Sequence, residues 1–130
     1  MSTRLIALTL TCLTLSTTAL LAAAHTSAPV MEGQLNGESY LVDANQMTLY
    51  TFDNDDAGVS NCYDMCAINW PPLLSEPGMD MPAGFTLIER RDGSQQVAYQ
   101  NEPLYLWIND AEPGDRTGDG VNGVWHIARP

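Results

Sequence analysis

From Ser39 onward, apolar and aromatic residues arrive in short bursts, each closed by Gly, Pro, Asn or Asp. The bursts are SYLVD from Ser39, MTLYTF from Met47, FTLIER from Phe85, QVAY from Gln96 and PLYLWI from Pro103. Their brevity and their β-branched and aromatic content predict strands rather than helices. Between the third and fourth, Arg91-Asp92-Gly93-Ser94 predicts a hairpin, because Asp-Gly accepts the positive φ of a tight primed turn. In a strand, side chains two apart share a face, so Tyr50 points with Phe52 and Tyr105 with Trp107. The pattern assigns those four rings to the core. One stretch, Cys62–Leu73 (CYDMCAINWPPL), breaks the strand pattern and predicts a short helix ending before Pro71, since the Trp-Pro-Pro run cannot continue it.

Two of the bursts repeat one another. LYTFDND from Leu49 and LYLWIND from Leu104 align without gaps at an offset of 55 positions, pairing Tyr50 with Tyr105, Phe52 with Trp107 and Asp55 with Asp110. The same offset pairs Asp64 with Asp119, Trp70 with Trp125 and, upstream, Val42 with Val97. Two copies are too few for a solenoid or propeller, so the repeat predicts one duplicated domain. The expected fold is mainly β: a small, pseudo-symmetric antiparallel β domain over residues 39–130, with repeats at about 39–74 and 85–128 and one short helix near Cys62 and Cys66.

The first 24 residues read differently. Arg4 supplies a short positive start, Leu5–Leu21 is apolar but diluted by Thr and Ser, and Ala22-Ala23-Ala24 offers a cleavage site, which predicts a secretory signal peptide over 1–24. Residues 25–38 then read as a flexible tail. Thr9-Leu10-Thr11 before Cys12 does not make a lipobox, so Cys12 is expected to leave with the signal. Cleavage leaves four arginines and no lysine against 16 acidic residues, a net charge of about −12. Such a surface repels nucleic acid and anionic lipid. No nucleic-acid partner and no stable membrane span after cleavage are expected, and the location is periplasmic or secreted.

Candidate chemistry is sparse. Asp55 and Asp110 follow their strands into turn-rich segments, where a carboxylate accepts backbone N–H groups and builds its own loop; the alternative is a duplicated ligand site. Asp53, Asp55, Gly58 and Asp64 echo a calcium loop, but Ala57 stands where a ligand is wanted. Cys62 and Cys66 are the only cysteines after the signal, and in an oxidising compartment they are expected to pair, with a redox or metal role as the alternative. His25, as a new N-terminus, and His126 are the candidate ligands of a copper site. No nucleophile, phosphate or nucleotide motif is present, so no enzyme activity and no cofactor are expected.

Taken together, Tyr50, Phe52 and Asp55, their copies Tyr105, Trp107 and Asp110, the Cys62…Cys66 pair before Trp70-Pro71-Pro72, and the closing run to Trp125-His126 form a recognisable set. From about Leu41 to His126 the chain resembles the bacterial secreted repeat of unknown function, whose members are described as predicted lipoproteins with a Tyr-x-aromatic-x-x-Asp motif. The resemblance implies a two-repeat, cysteine-stapled envelope or secreted domain and no particular activity. The expected role is a non-catalytic binding or interaction module with an unknown envelope or extracellular partner; the alternative is a periplasmic copper-handling or electron-transfer accessory.

Overall fold

A computed structural model describes residues 29–130. The expected signal peptide, Cys12 and His25 lie outside them. In chain order the elements are β1 (Val30–Leu35), β2 (Glu38–Asp43), β3 (Tyr50–Phe52), α1 (Met65–Asn69), β4 (Leu74–Ser75), β5 (Phe85–Glu89), β6 (Gln95–Tyr99), β7 (Glu102–Pro103), a 3₁₀ turn (Val121–Gly123) and β8 (Trp125–Ile127). All strand pairings are antiparallel, so the fold is mainly β with a single short α-helix among the described residues.

Each half opens with a hairpin. β1 and β2 are joined by Asn36-Gly37, both at positive φ (53° and 81°), the tight turn that Asn-Gly favours. In the second half β5 and β6 are joined through Arg91–Gly93, where Gly93 alone of the three has positive φ (84°). The primed turn expected at Asp92-Gly93 is therefore a three-residue loop. The expected flexible tail over 25–38 also needs correction: residues 30–35 are a strand, hydrogen-bonded along β2 as β5 is along β6. Val30 is buried there, which anchors the strand to the core.

Six backbone hydrogen bonds define the internal symmetry. Leu41 N donates to Ala128 O (2.8 Å), Ala128 N to Leu49 O (2.8 Å) and Leu49 N to Leu41 O (3.0 Å). Val97 N donates to Leu73 O (2.8 Å), Leu73 N to Leu104 O (2.9 Å) and Leu104 N to Val97 O (3.0 Å). The two closed triangles match Leu49 with Leu104 and Leu73 with Ala128 at the offset of 55, but match Val97 with Leu41 rather than Val42. The slip has a local cause. The turn before β6 is one residue longer than the turn before β2, and the next turn, Gln100-Asn101, is one residue shorter than Ala44–Gln46.

The triangles also show that the halves exchange their last segments. Leu73 follows Trp70 in the first repeat yet completes the second triangle, and Ala128 of the second repeat completes the first. In the same way β8 pairs with β3, β4 pairs with β6, and Pro72 bridges to Tyr105. The pairings are unequal. Pro71, the counterpart of His126, has no N–H to return, so Leu106 N and Ile108 N donate to Pro71 O and Asn69 O in a one-sided ladder. That is why PLYLWI, expected as one strand, is regular only at β7.

The six triangle residues and Val30 form one apolar cluster, and every one of them is buried. Full burial of a single aliphatic side chain contributes about 1.5–3 kcal/mol. Because each triangle draws on both repeats, neither half completes its own core.

Candidate functional site

The second core cluster is aromatic and lies on the symmetry axis. Tyr50 and Tyr105 meet there as a hydrogen-bonded backbone pair, Tyr50 N to Tyr105 O (2.8 Å) and Tyr105 N to Tyr50 O (3.0 Å), and both side chains are fully buried. Beside them four rings stack in a row: Trp107 on Trp70 (4.0 Å between centroids), Trp70 on Trp125 (3.8 Å) and Trp125 on Phe52 (4.2 Å). Tyr50 meets Trp70 edge-on at 5.4 Å and Tyr105 meets Trp125 edge-on at 5.2 Å. Offset-stacked and edge-to-face pairs each add about 0.5–1.5 kcal/mol beyond burial. The four aromatics expected in the core are thus in or against it, with Phe52 and Trp107 half-buried at the ends of the row.

The repeated aspartates complete the centre. Asp55 Oδ1 accepts from Asn61 N (2.7 Å), and Asp110 Oδ1 accepts from Thr117 N (3.0 Å) and Thr117 Oγ1 (2.7 Å). Each carboxylate therefore closes its own loop, although it reaches six or seven residues on rather than two or three. The second oxygen crosses to the other repeat. Tyr50 Oη donates to Asp110 Oδ2 (2.6 Å), and Tyr105 Oη donates to Asp55 Oδ2 (2.6 Å). Neutral tyrosine hydrogen-bonded to an ionised carboxylate is a charge-assisted pair, stronger than a neutral bond.

The two pairs differ in what supports them. Tyr50 Oη accepts from Gly118 N at 3.2 Å. A Cβ on Gly118 would lie 2.8 Å from Tyr50 Cζ and 2.9 Å from Trp70 Cη2, so only glycine admits this approach. Tyr105 Oη instead meets Ser60 Oγ at 2.7 Å. Since the Tyr105 proton is committed to Asp55, Ser60 is the donor. Ser60 in turn accepts from the buried Arg90 Nη1 (2.9 Å), which also donates to Gln96 Oε1 (2.7 Å), while Arg90 Nη2 donates to Cys62 O (2.7 Å). A guanidinium and a carboxylate are thereby joined through two hydroxyl groups. Burial first, and then the bond to its aspartate, pushes each tyrosine hydroxyl far above the ordinary phenol range. Burial also pushes the Asp55 carboxyl up, against the lowering effect of the Tyr105 and Asn61 bonds.

Cys62 and Cys66 are disulfide-bonded, with Cα atoms 5.3 Å apart. Cys62 precedes α1 and Cys66 lies within it, so the bridge ties the helix to the segment that carries Ser60. His126 is exposed on β8 and its Nε2 lies 2.8 Å from Asp53 Oδ2. Among the described residues no three His, Cys, Asp or Glu side chains gather as a metal-binding group. Sequence reasoning missed Ser60, Arg90, Gln96 and Gly118. Arg90 had a signal: it falls two residues after Ile88, on the same strand face.

A family model described as a secreted repeat of unknown function matches residues 36–74 and 86–129, two copies in one chain. Comparison with curated proteins and with solved structures returns no match. Within the described residues no helix is long and apolar enough to cross a membrane.

Proposed function

The chain belongs to the family of secreted repeats of unknown function, and from that premise we propose that it is a non-catalytic interaction module of the bacterial envelope or its surroundings. One observation carries the reading. The motif side chains that define the family turn inward and are spent on one another, while apolar side chains elsewhere face solvent. Met65 and Ile68, 66% and 58% exposed, are three residues apart on α1 and so share a face. Ile108, 56% exposed, bonds through its amide to Asn69 O at the end of the same helix. Exposed apolar side chains on α1 and on the segment bonded to its end, in a strongly acidic protein, favour a partner with an apolar contact ringed by basic groups. The Cys62–Cys66 disulfide ties α1, which carries this face, to the segment before it.

The reading is tested by placing a photo-crosslinking amino acid at Ile68 and, as a control, at Thr86, which is exposed on β5. In protein secreted by its own host, a discrete adduct at Ile68, abolished by Met65→Asp and absent at Thr86, supports the reading. Equal labelling at both positions, or none at Ile68, contradicts it.

A further inference from the structure

The aromatic centre holds more ordered chemistry than a core needs. Three tryptophans lie in unbroken contact, Trp107 to Trp70 at 4.0 Å and Trp70 to Trp125 at 3.8 Å, nearly parallel in the second case (4°). Trp107 is half-buried and touches solvent, whereas Trp70 and Trp125 are buried. Each buried tryptophan then meets the edge of one tyrosine, and each tyrosine hydroxyl is 2.6 Å from a carboxylate oxygen. Indole and phenol are the two side chains most readily oxidised by one electron among the aromatics. An indole passes an electron to a neighbouring ring at van der Waals distance without any bond being broken. A phenol gives up its electron at moderate potential only if its proton leaves at the same time, which requires a base already hydrogen-bonded to the hydroxyl.

We propose that the Trp107–Trp70–Trp125 row is a one-electron relay that carries oxidising equivalents from the surface to the paired tyrosines Tyr50 and Tyr105. The oxidant is an external one-electron acceptor of the oxidising-radical class, which takes one electron from the Trp107 indole and is itself reduced by one electron. Trp107 is refilled from Trp70, and Trp70 from Tyr50 directly or from Trp125 and then Tyr105. As the tyrosine loses its electron, its phenolic proton crosses to Asp110 Oδ2 or Asp55 Oδ2. The balance is one reduced acceptor, one neutral tyrosyl radical and one protonated aspartate. No covalent bond between heavy atoms changes.

The geometry gives the end point two properties that an exposed tyrosine lacks. Both tyrosines are fully buried, so a radical there is shielded from coupling with another molecule. The proton remains within its hydrogen bond and returns when the radical is reduced. The two branches are not identical. On the Tyr105 side burial raises the Asp55 carboxyl and so favours its protonation, while the Arg90 guanidinium, joined to Tyr105 through Ser60, acts against it. On the Tyr50 side Asp110 is held by Thr117 and Gly118 supports the hydroxyl, with no arginine in the chain of bonds.

The experiment is flash photo-oxidation of the mature protein by a ruthenium tris-bipyridyl complex with a sacrificial electron acceptor, followed by transient absorption and electron paramagnetic resonance. The expected result is a tryptophanyl signal that decays into a tyrosyl signal, with slower decay in heavy water. Tyr50→Phe with Tyr105→Phe leaves Tyr40, Tyr63 and Tyr99 in place, yet should lose the tyrosyl signal and lengthen the tryptophanyl one. Trp107→Phe keeps the shape of the row and should lose the tyrosyl yield, which keeps the test decisive if the double tyrosine variant does not fold. Asp110→Asn with Asp55→Asn should retain the tryptophanyl signal and lose its conversion. A tyrosyl yield untouched by Trp107→Phe, or by removal of both buried tyrosines, overturns the relay.

Discussion

The Tyr105 hydroxyl donates to Asp55 at 2.6 Å, so the tyrosine of the second repeat is held by the aspartate of the first. Tyr50 and Asp110 make the reciprocal bond at the same distance. The repeated motif is thus written twice because each copy supplies what the other lacks: a donor for the opposite carboxylate, a ring for the opposite stack and a last segment for the opposite triangle.

Gly118→Ala tests how closely the Tyr50 side is packed. The added methyl would meet Tyr50 and Trp70 inside 3.0 Å, and both rings are buried. Overpacking of this kind costs about 1–3 kcal/mol. Urea unfolding should show a lower midpoint with an unchanged slope. An unchanged midpoint would mean that the loop moves freely away from Tyr50.

Alkaline pH should unfold the protein earlier than its disulfide-stapled core suggests. Both buried tyrosines hold their protons far above the ordinary value of 10.0, because burial and the neighbouring carboxylate disfavour phenolate. The folded state then binds more protons than the unfolded state once pH exceeds about 10, so stability that is fully present below that value falls as pH rises. Each tyrosine contributes a slope of about 1.4 kcal/mol per pH unit in that range. Asp55 has the same sign at acid pH: its raised carboxyl contributes stability that is lost as pH rises above the ordinary 3.8. Unfolding at graded pH should show a shallower alkaline loss in Tyr50→Phe and in Tyr105→Phe. A slope identical to the parent would place those hydroxyls in contact with solvent.

Much of this fold was legible in the chain, and the exceptions have physical causes. The bursts SYLVD, FTLIER and QVAY became β2, β5 and β6 because their β-branched and aromatic residues have a buried face to fill. β1 escaped notice because Glu32-Gly33-Gln34 shows no alternation of apolar and polar residues. Gly33 is small for a packing reason, since a Cβ there would lie 2.8 Å from Val42 Cγ1. Asn36-Gly37 was the signal that marked its hairpin, and it is stronger than Asp92-Gly93 because both residues accept positive φ. The loop-closing half of the aspartate's role was also readable. The crossing half was not. An offset of 55 is equally compatible with bonds inside each repeat and bonds between repeats, and the choice depends on the exchange of the segments ending at Leu73 and Ala128, which is a non-local decision.

Reducing the disulfide should weaken the protein without unmaking it. Cys62 and Cys66 close a loop of only five residues, worth about 2 kcal/mol by chain entropy. The Arg90 bond to Cys62 O and the Trp70 stack remain to hold the segment. Unfolding with and without reductant should differ by about that amount, and mass spectrometry after alkylation of the untreated protein should find both thiols blocked. Free thiols in untreated protein would contradict the pairing.

The crossed bonds themselves are best tested by double-mutant cycles on urea unfolding, using Tyr50→Phe, Tyr105→Phe, Asp55→Asn and Asp110→Asn singly and in all four tyrosine–aspartate pairs. Losing one partner of a buried hydrogen bond costs about 1–3 kcal/mol, and directly bonded residues show coupling of about 0.5–3 kcal/mol. The account predicts coupling in that range for Tyr50 with Asp110 and for Tyr105 with Asp55, and values near zero for Tyr50 with Asp55 and Tyr105 with Asp110. Coupling confined to the pairs within a repeat, or absent from all four, would contradict it.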